Sequence, residues 1–242
     1  MKVSNAIASS AGGADATALG PVVDCRRCPR LVAWREEQAQ RVPPRFRAAV
    51  AAHSFWGRPV PAFGDQRAWL AVVGLAPAAQ GGNRTGRVFT GDRSGDFLYA
   101  ALHRAGLANQ PESTHRGDGL TLRGALVTAA ARCAPPANRL LPEELARCRP
   151  YLRADLAGLS RLRVVLALGA VAHDAILALL DEQGSGIRPR PRFAHAAEHR
   201  LPGGGWLVDS YHVSQQNTFT GRLTPAMLDA VLLRCRELAG AE

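Results

Sequence analysis

A glycine-rich stretch at residues 74–92 carries an aromatic side chain, Phe89, and a carboxylate, Asp92, close together. An apolar run at residues 69–73 precedes it, and a helix-like segment begins at residue 94. A strand, a polar loop and a helix in this order present chemistry at the C-terminal edge of an α/β sheet. Glycines allow close ligand approach, and backbone N–H groups in such a loop bind anions. The stretch therefore predicts a ligand-binding loop, with a plain surface loop as the alternative.

This loop lacks the signatures of two common nucleotide sites. No Gly-Lys-Ser/Thr follows its glycines, as a Walker A loop requires, and it contains no dinucleotide-binding fingerprint. A nucleotide cofactor is therefore not expected.

A second polar stretch, residues 210–224, places His212 at the C-terminal end of a predicted strand. It is rich in Ser, Gln, Asn and Thr, includes Gly221 and Arg222, and has almost no aliphatic side chains. Such a loop suits phosphate contacts and insertion into a nucleic-acid duplex. For His212 alone, a structural histidine is the alternative interpretation.

Four of the five cysteines could form one metal-binding set. Cys25 and Cys28 form a Cys-x-x-Cys pair, Cys133 follows a predicted strand, and Cys148 lies on the next predicted helix. Four thiolates suit a tetrahedral zinc ion or a [4Fe–4S] cluster, and the spacing does not choose between them. Unrelated buried thiols are the alternative, and Cys235 in the last predicted helix is interpreted as a core thiol.

The charge balance indicates a polyanionic partner. The formal net charge is +10, and Lys2 is the only lysine among the 30 basic residues. Arginine binds phosphate in a bidentate manner, so nucleic acid is preferred to a membrane or an acidic protein. A genomic bias would explain the preference for arginine over lysine, but it would not explain the excess of base over acid.

The length of 242 residues predicts one domain, or one domain with an extension. Residues 1–20 have the composition of a flexible tail and not of a secretory signal, and no later segment reaches transmembrane length. A cytoplasmic protein with reduced or ligating cysteines is expected.

Predicted strands and helices alternate along the chain. This order indicates an α/β fold with a small parallel sheet covered by helices on both faces, and it gathers the loops after the strands into one cleft. The predicted strands are residues 68–75, 125–131, 163–168 and 206–210, and the predicted helices are residues 30–41, 45–53, 94–105, 142–159, 170–180 and 224–238.

Together, the two loops resemble the motifs of the family 5 uracil-DNA glycosylases, the UDGb type. The resemblance is carried by residues 74–78, 83–92, 132–139 and 212–224 with the Cys25/Cys28 pair, and it extends from about Cys25 to the last helix. It implies an αβα sandwich with a four-stranded parallel sheet, forming a single domain over residues 21–242. It also implies a [4Fe–4S] cluster on Cys25, Cys28, Cys133 and Cys148, with zinc as the alternative.

The resemblance further implies a monomeric base-excision-repair enzyme. It would hydrolyse the N-glycosidic bond of uracil, and of other deaminated bases such as hypoxanthine, and leave an abasic site in DNA. The implied catalytic residues are Asp92 and His212. The implied base-binding residues are Phe89, Gly74, Leu75, Ala76 and Ala129, and the implied DNA contacts are Asn83, Arg84, Ser214, Gln215, Gln216, Asn217 and Arg222.

Three positions depart from related enzymes. Leu75 replaces an acid that family 4 members have, so it cannot activate water. Ala129 stands where related enzymes often have an asparagine that reads the uracil edge, which favours a broader pocket. Val213 replaces a frequent proline and is expected to change loop stiffness more than chemistry.

Two other functions are compatible with parts of the pattern. A non-catalytic iron–sulfur or zinc protein that binds nucleic acid would explain the charge and the cysteines, but not the convergence of a carboxylate, an aromatic ring and a histidine. A phosphate-ester hydrolase would need several carboxylates for a divalent metal ion, and these loops do not have them.

Overall fold

A computed structural model describes residues 20–241. The predicted flexible tail, residues 1–20, lies outside this range except for Gly20, so it stays a prediction. Within the described range, no helix combines the length and the apolar character needed to span a bilayer.

The protein has one mixed six-stranded sheet. Its order is β1 (Phe63–Gly64), β3 (Ala125–Ala129), β2 (Leu70–Gly74), β4 (Val164–Leu168), β6 (Trp206–Ser210) and β5 (Glu198–Arg200). The four central strands are parallel, as predicted, and β1 and β5 pair antiparallel at the two edges. The prediction of four strands is therefore corrected to six. The two edge strands, of two and three residues, are too short for a periodic sequence signal.

Helices cover both faces of the sheet. The described residues contain eight α-helices: α1 (Pro29–Gln40), α2 (Arg47–His53), α3 (Gly82–Thr85), α4 (Arg93–Arg104), α5 (Pro142–Ala157), α6 (Ala170–Glu182), α7 (Gln215–Phe219) and α8 (Pro225–Ala239). Proline in the first turn starts α1, α5 and α8, where the missing N–H has no helical partner to lose. The short helices α3 and α7 lie inside the two polar loops and were not predicted.

The packing explains the αβα arrangement. The side chains of β2 alternate, so that Leu70 and Val72 join the core with α4 and α8 while Ala71 and Val73 join the core with α5 and α6. All five residues of each of β2, β3 and β4 are buried, as expected for strands covered on both faces. The predicted αβα class is therefore confirmed.

The register brings the polar loops together. Gly74 at the end of β2 lies beside Ala129 at the end of β3, and Leu168 at the end of β4 lies beside Ser210 at the end of β6. The loops that follow these strands consequently leave the same edge of the sheet.

Candidate active site

A cavity of about 590 Å³ lies beyond the carboxyl ends of β2 and β6. The loops after β2, β3 and β6 all contribute to it, so the two polar stretches identified in the sequence meet there. Its lining residues are Leu75, Ala76, Ala78, Phe89, Asp92, Ser94, Asn138, His212, Ser214, Gln215, Gln216 and Asn217.

Phe89 is fixed by two glycines. Its ring lies on Gly74, where a Cβ would come 2.5 Å from the ring, and its carbonyl occupies the space that a Cβ of Gly95 would need. Its backbone has a φ of 49°, in the left-handed region that a bulky residue rarely adopts. Strain of this kind persists where the surrounding structure holds it, often in ligand sites. The loop therefore holds an aromatic face ready at the cavity wall.

Asp92 is the N-cap of α4. One carboxylate oxygen, Oδ1, accepts a hydrogen bond from the Gly95 N–H at 3.0 Å. The other, Oδ2, lies where a Cβ of Gly81 would be, so a larger residue at position 81 would displace the carboxylate. Burial raises the pKa of Asp92, and backbone N–H groups and the charge of Arg84 offset part of that rise. The site thus contains a carboxylate with one oxygen free of that N-cap bond.

His212 faces Phe89 across the cavity, with 6.1 Å between ring centroids. Its Cβ packs on Gly169 at the end of β4. Burial lowers the pKa of His212 to about 4, so the imidazole is neutral at physiological pH. A neutral imidazole can donate one hydrogen bond without bringing a positive charge into the cavity.

The loop after β6 folds into the short helix α7. The Asn217 side chain donates a hydrogen bond to the His212 carbonyl at 2.7 Å, which ties the helix to the histidine. Phe219, at the end of α7, is 66% exposed, with the Arg93 guanidinium 5.3 Å from its ring centroid. Arg222 is exposed and lies over the ring of Tyr211. The loop therefore presents amides, an aromatic ring and an arginine near the cavity.

Two residues expected to contact DNA lie inside the protein instead. Asn83 is fully buried, and its amide donates to the carbonyls of Arg35 and Ala79. Arg84 is 6% exposed and donates to the carbonyls of Gln80 and Gly91. Both side chains support the loop, because they satisfy backbone carbonyls within it and, for Asn83, also one of α1. The fully buried position of Asn83 does not support a DNA contact, whereas Arg84 also lines a second cavity and its contact with DNA stays a prediction.

Two predicted base-binding residues do not line the cavity, and two residues that were not predicted do. Gly74 lies under the Phe89 ring, Ala129 is buried beside Gly74 in the sheet, and neither is among the lining residues. Asn138, with a φ of 55°, lines the cavity from the loop after β3. Asn138 belongs to residues 132–139, which carry part of the family resemblance, but the sequence analysis assigns it no role. Ser94 lines the cavity from the start of α4.

Comparisons with known proteins identify the family of the chain. The family model described as "Uracil DNA glycosylase superfamily" matches residues 61–235. The chain therefore belongs to the uracil DNA glycosylase superfamily. The Type-5 uracil-DNA glycosylase of Mycobacterium tuberculosis (strain CDC 1551 / Oshkosh) is 51% identical over 219 residues, covering 90% of this chain and 79% of the relative.

Two further Type-5 uracil-DNA glycosylases match over similar lengths. The protein of Thermus thermophilus is 51% identical over 217 residues, covering 89% of this chain and 94% of the relative. The protein of Pyrobaculum aerophilum is 44% identical over 219 residues, covering 90% of this chain and 91% of the relative. The predicted enzyme class, a DNA glycosylase of base excision repair, is confirmed, and the non-catalytic alternative is set aside.

A separate small cavity in this glycosylase collects four cysteines. Cys25, Cys28, Cys133 and Cys148 all line it, together with Tyr151. Cys235 lies elsewhere, fully buried among residues of α8 and its neighbours, as predicted for a core thiol. Burial raises the pKa of Cys133 and raises that of Cys148 to about 12. Deprotonating these thiols therefore requires a strong positive charge nearby.

Buried arginines surround the cysteines. Arg35 is 2% exposed and donates to the Cys133 sulfur at 2.9 Å. Arg132 is also 2% exposed, and its backbone N–H donates to the Cys148 sulfur at 3.3 Å. Among the described residues, Nε of Arg35 and both Nε and Nη1 of Arg132 are buried without a hydrogen-bond partner. Such donors fit an anionic group held by the thiolates.

Proposed function

We propose that this glycosylase hydrolyses the N-glycosidic bond of uracil and hypoxanthine in DNA and leaves an abasic site. The observation that carries the proposal is the single cavity shared by Phe89, Asp92 and His212. The names of the relatives at 44–51% identity support uracil as the first substrate to test. The cytoplasmic location and the monomeric state expected from the sequence remain predictions.

The target base leaves the helical stack before its glycosidic bond is reached. Phe89 stacks on the extruded base, because its ring is held at the cavity wall by Gly74 and Gly95. Leu75 and Ala76 contact the base edge from the same wall. Their side chains place no charge beside the base, which is consistent with more than one accepted base.

His212 stabilises the departing base. As the bond breaks, negative charge develops on the base, and a donor held in a water-poor cavity stabilises that charge more strongly than water does. The lowered pKa of His212 keeps the ring neutral, and Gly169 and Asn217 fix its position. The histidine therefore acts as a hydrogen-bond donor and not as a resident cation.

Asp92 orients the attacking water and stabilises positive charge on the sugar. The Gly95 N–H holds the carboxylate in place, and Asp92 lines the cavity in which the attacking water would lie. Burial makes the ionised carboxylate a stronger base than a surface aspartate, since its pKa is raised. Asn138 lies in the same cavity and can share the water or the base edge.

Hydrolysis without strand cleavage follows from the chain's amines. A lyase step needs an amine that forms a Schiff base with the sugar. Lys2 is the only lysine of the chain, and no lysine is among the described residues that line the cavity. The product is therefore an intact strand with an abasic site.

The loop after β6 contacts the opened duplex. Ser214, Gln215, Gln216 and Asn217 offer hydroxyl and amide groups at the cavity. Phe219 presents an exposed ring that can stack on an unpaired base, and Arg222 is exposed for phosphate. The net charge of +10 also favours a polyanionic substrate such as DNA over a small neutral one.

The four cysteines hold a [4Fe–4S] cluster in this proposal. A single zinc ion with about 2.3 Å bonds would bring its sulfur ligands to about 3.8 Å of one another. Among residues 20–241, no three cysteine sulfurs lie within 4.8 Å of one another, which favours a larger group. When bound, the cluster supplies a structural cross-link. Contacts from Arg27 to Arg147 and from Arg30 to Glu144 already join the same segments.

The function is tested with end-labelled duplexes that carry one uracil, one hypoxanthine or no lesion, followed by alkali. Alkali-dependent cleavage at both lesions is the expected result, and cleavage before alkali would contradict a monofunctional enzyme. His212→Ala should lower single-turnover excision about 10²- to 10³-fold without weakening DNA binding. Leu233→Ala, on the exposed face of α8, is the matched control and should keep full activity.

The breadth of the pocket is tested at Ala129. This residue is buried beside Gly74, on which the Phe89 ring lies, so a larger side chain there would crowd the wall that holds the ring. Ala129→Asn should raise the ratio of uracil to hypoxanthine excision because a more crowded wall accommodates the larger purine less well than uracil. Cleavage of uracil alone by the unchanged protein would overturn the broad pocket but leave the uracil activity intact.

A further inference from the structure

A second cavity, of about 610 Å³, lies beside the catalytic loop. Three segments form it: His53 at the end of α2 and Trp56 just after it, Thr85 from α3, and His115 and Arg116 from the segment between α4 and β3. None of these residues lines the catalytic cavity. The segment 82–92 thus contributes side chains to two separate cavities.

The polar lining of this second cavity is suited to an anion. Every ionisable residue of its lining is an arginine or a histidine, and the remaining polar side chains are hydroxyl groups and Trp56. The nearest carboxylate along the chain, that of Asp118, forms a buried ion pair with Arg87. A negatively charged group would therefore meet donors and no acidic side chain of the lining.

Arg116 is held at this cavity by an aromatic ring. Its guanidinium lies 4.4 Å from the Trp56 ring centroid. The indole is fixed, because its N–H donates to the Pro59 carbonyl and its ring packs on Gly86, where a Cβ would come 2.8 Å away. Among the described residues Arg116 has no ion pair, whereas many other arginines of the chain do.

Two stacked imidazoles complete the donor set. The rings of His53 and His115 lie face to face, with 3.9 Å between centroids. The Gly117 N–H donates to Nδ1 of His115, so the proton of a neutral ring is on Nε2. The backbone therefore sets the tautomer of His115, and its Nε2–H can donate a hydrogen bond to a ligand.

The floor of the cavity is rigid and joined to the catalytic loop. The Asp118 carboxylate accepts from the N–H groups of Thr114, His115 and Leu120 and pairs with Arg87. The Gly91 N–H donates to the Ser113 carbonyl at 2.8 Å, directly before Asp92. A ligand in this cavity thus contacts a segment that is fixed to the active-site loop.

We propose that this cavity binds a backbone phosphate of the DNA strand outside the extruded nucleotide, through Arg116 and the His53–His115 pair. Arginine and imidazole N–H groups form charge-assisted hydrogen bonds to phosphate, and the volume leaves room for the adjoining sugar. DNA is favoured over a free anion because the cavity adjoins the loop that holds the target base. The inference rests on the enzyme acting on DNA and not on which base it removes.

The test compares Arg116→Ala with Arg200→Ala. Arg200 is the matched control because it is also exposed and also lies over an indole, that of Trp206. Binding to an undamaged duplex is measured by fluorescence anisotropy over a range of salt concentrations. Arg116→Ala should weaken binding about 3- to 10-fold and reduce the slope of log K against log salt by about 0.9, the value for one lost phosphate contact.

Single methylphosphonate linkages then locate the phosphate. A methylphosphonate at one linkage should weaken DNA binding by the unchanged protein and by Arg200→Ala. The same substitution should not weaken binding by Arg116→Ala any further. The single-turnover excision rate at saturating DNA should be the same in all three proteins. The proposal is overturned if Arg116→Ala has an unchanged salt slope. It is also overturned if every methylphosphonate linkage that weakens binding of the unchanged protein weakens binding of Arg116→Ala equally.

A titration with inorganic phosphate separates the two sources of the anion. In one outcome, millimolar phosphate protects the unchanged protein, but not Arg116→Ala, against thermal unfolding. If the DNA salt slope of Arg116→Ala were also unchanged, the cavity would be a site for free phosphate. That result would overturn the assignment to DNA. Because binding is measured on undamaged duplex, the outcome does not depend on uracil or hypoxanthine excision.

Discussion

The ring of Phe89 lies directly on the backbone of Gly74, so close that a Cβ on Gly74 would come 2.5 Å from the ring's Cζ. The glycine ends a buried parallel strand, and the phenylalanine has a left-handed backbone. The position of the stacking ring is therefore set by a residue of the preceding strand and not by its own loop alone.

Gly74→Ala should displace the Phe89 ring and lower kcat/KM on uracil-containing duplex by about 10²-fold, since small misplacements of positioning groups cost that much. The protein should still fold, because the added methyl group meets the end of a side chain and not backbone. Gly158→Ala, at the end of α5 with an ordinary helical φ of −68°, is the matched control. Equal activity of the two variants would show that the ring position does not matter.

The pH dependence of excision should report Asp92. Its pKa is raised by burial, so the acid limb of the single-turnover rate should lie above the usual aspartate value of about 3.9. Below that limb the carboxyl group is protonated and cannot assist water, so the rate should fall about tenfold per pH unit. His212, with a pKa of about 4, stays neutral through most of this range.

Asp92→Asn is the check on that assignment. The variant should have a low rate that no longer shows the acid limb, because the titrating group has been removed. If the limb persists unchanged in Asp92→Asn, another group produces it. DNA affinity measured at each pH separates loss of binding from loss of chemistry.

The central sheet and the cavity could be predicted because their signals are local. Three fully buried, nearly continuous apolar strands in a chain of alternating strands and helices predict both the parallel sheet and the edge where the loops meet. Asp92 and His212 were found for this reason. The edge strands β1 and β5 exist only through pairing with neighbours, so no pattern within two or three residues reveals them.

The roles of buried polar residues could not be predicted from residue type. Asn83 and Arg84 sit in a polar loop, where exposure is the natural expectation, yet their side chains satisfy carbonyls inside the protein. Asn138 lies in a proline-rich run, and its left-handed backbone turns it to the cavity. In each case the outcome depends on long-range packing, which sequence spacing does not encode.

The cysteine set should contain iron and sulfide in protein purified without oxygen. Cys133→Ala should remove the iron and lower the melting temperature, because the segment at Cys25 and Cys28 loses its link to α5. Cys235→Ala is the control, since that thiol is buried in another part of the core and should keep the iron. Metal analysis that finds zinc and no iron would contradict the cluster.

The buried ion pair between Arg87 and Asp118 should be a major contributor to stability. The side chains are 2% and 6% exposed, so Asp118→Asn leaves a buried guanidinium without its counter-charge and should cost about 3–5 kcal/mol in urea unfolding. Asp229→Asn is the matched control. It breaks the exposed pair with Arg104 and should cost less than about 1 kcal/mol.

The same ion pair predicts how stability depends on pH. The pKa of Asp118 is held well below its usual range by Arg87 and by backbone N–H groups, although burial opposes this. Its stabilisation is therefore present at neutral pH and is lost only as the pH falls below about 4 toward the folded-state value. The stability difference between the unchanged protein and Asp118→Asn should accordingly be constant from about pH 8 to 5 and shrink below that range. A difference that instead grows on acidification would show that Asp118 is not the ionised partner of Arg87.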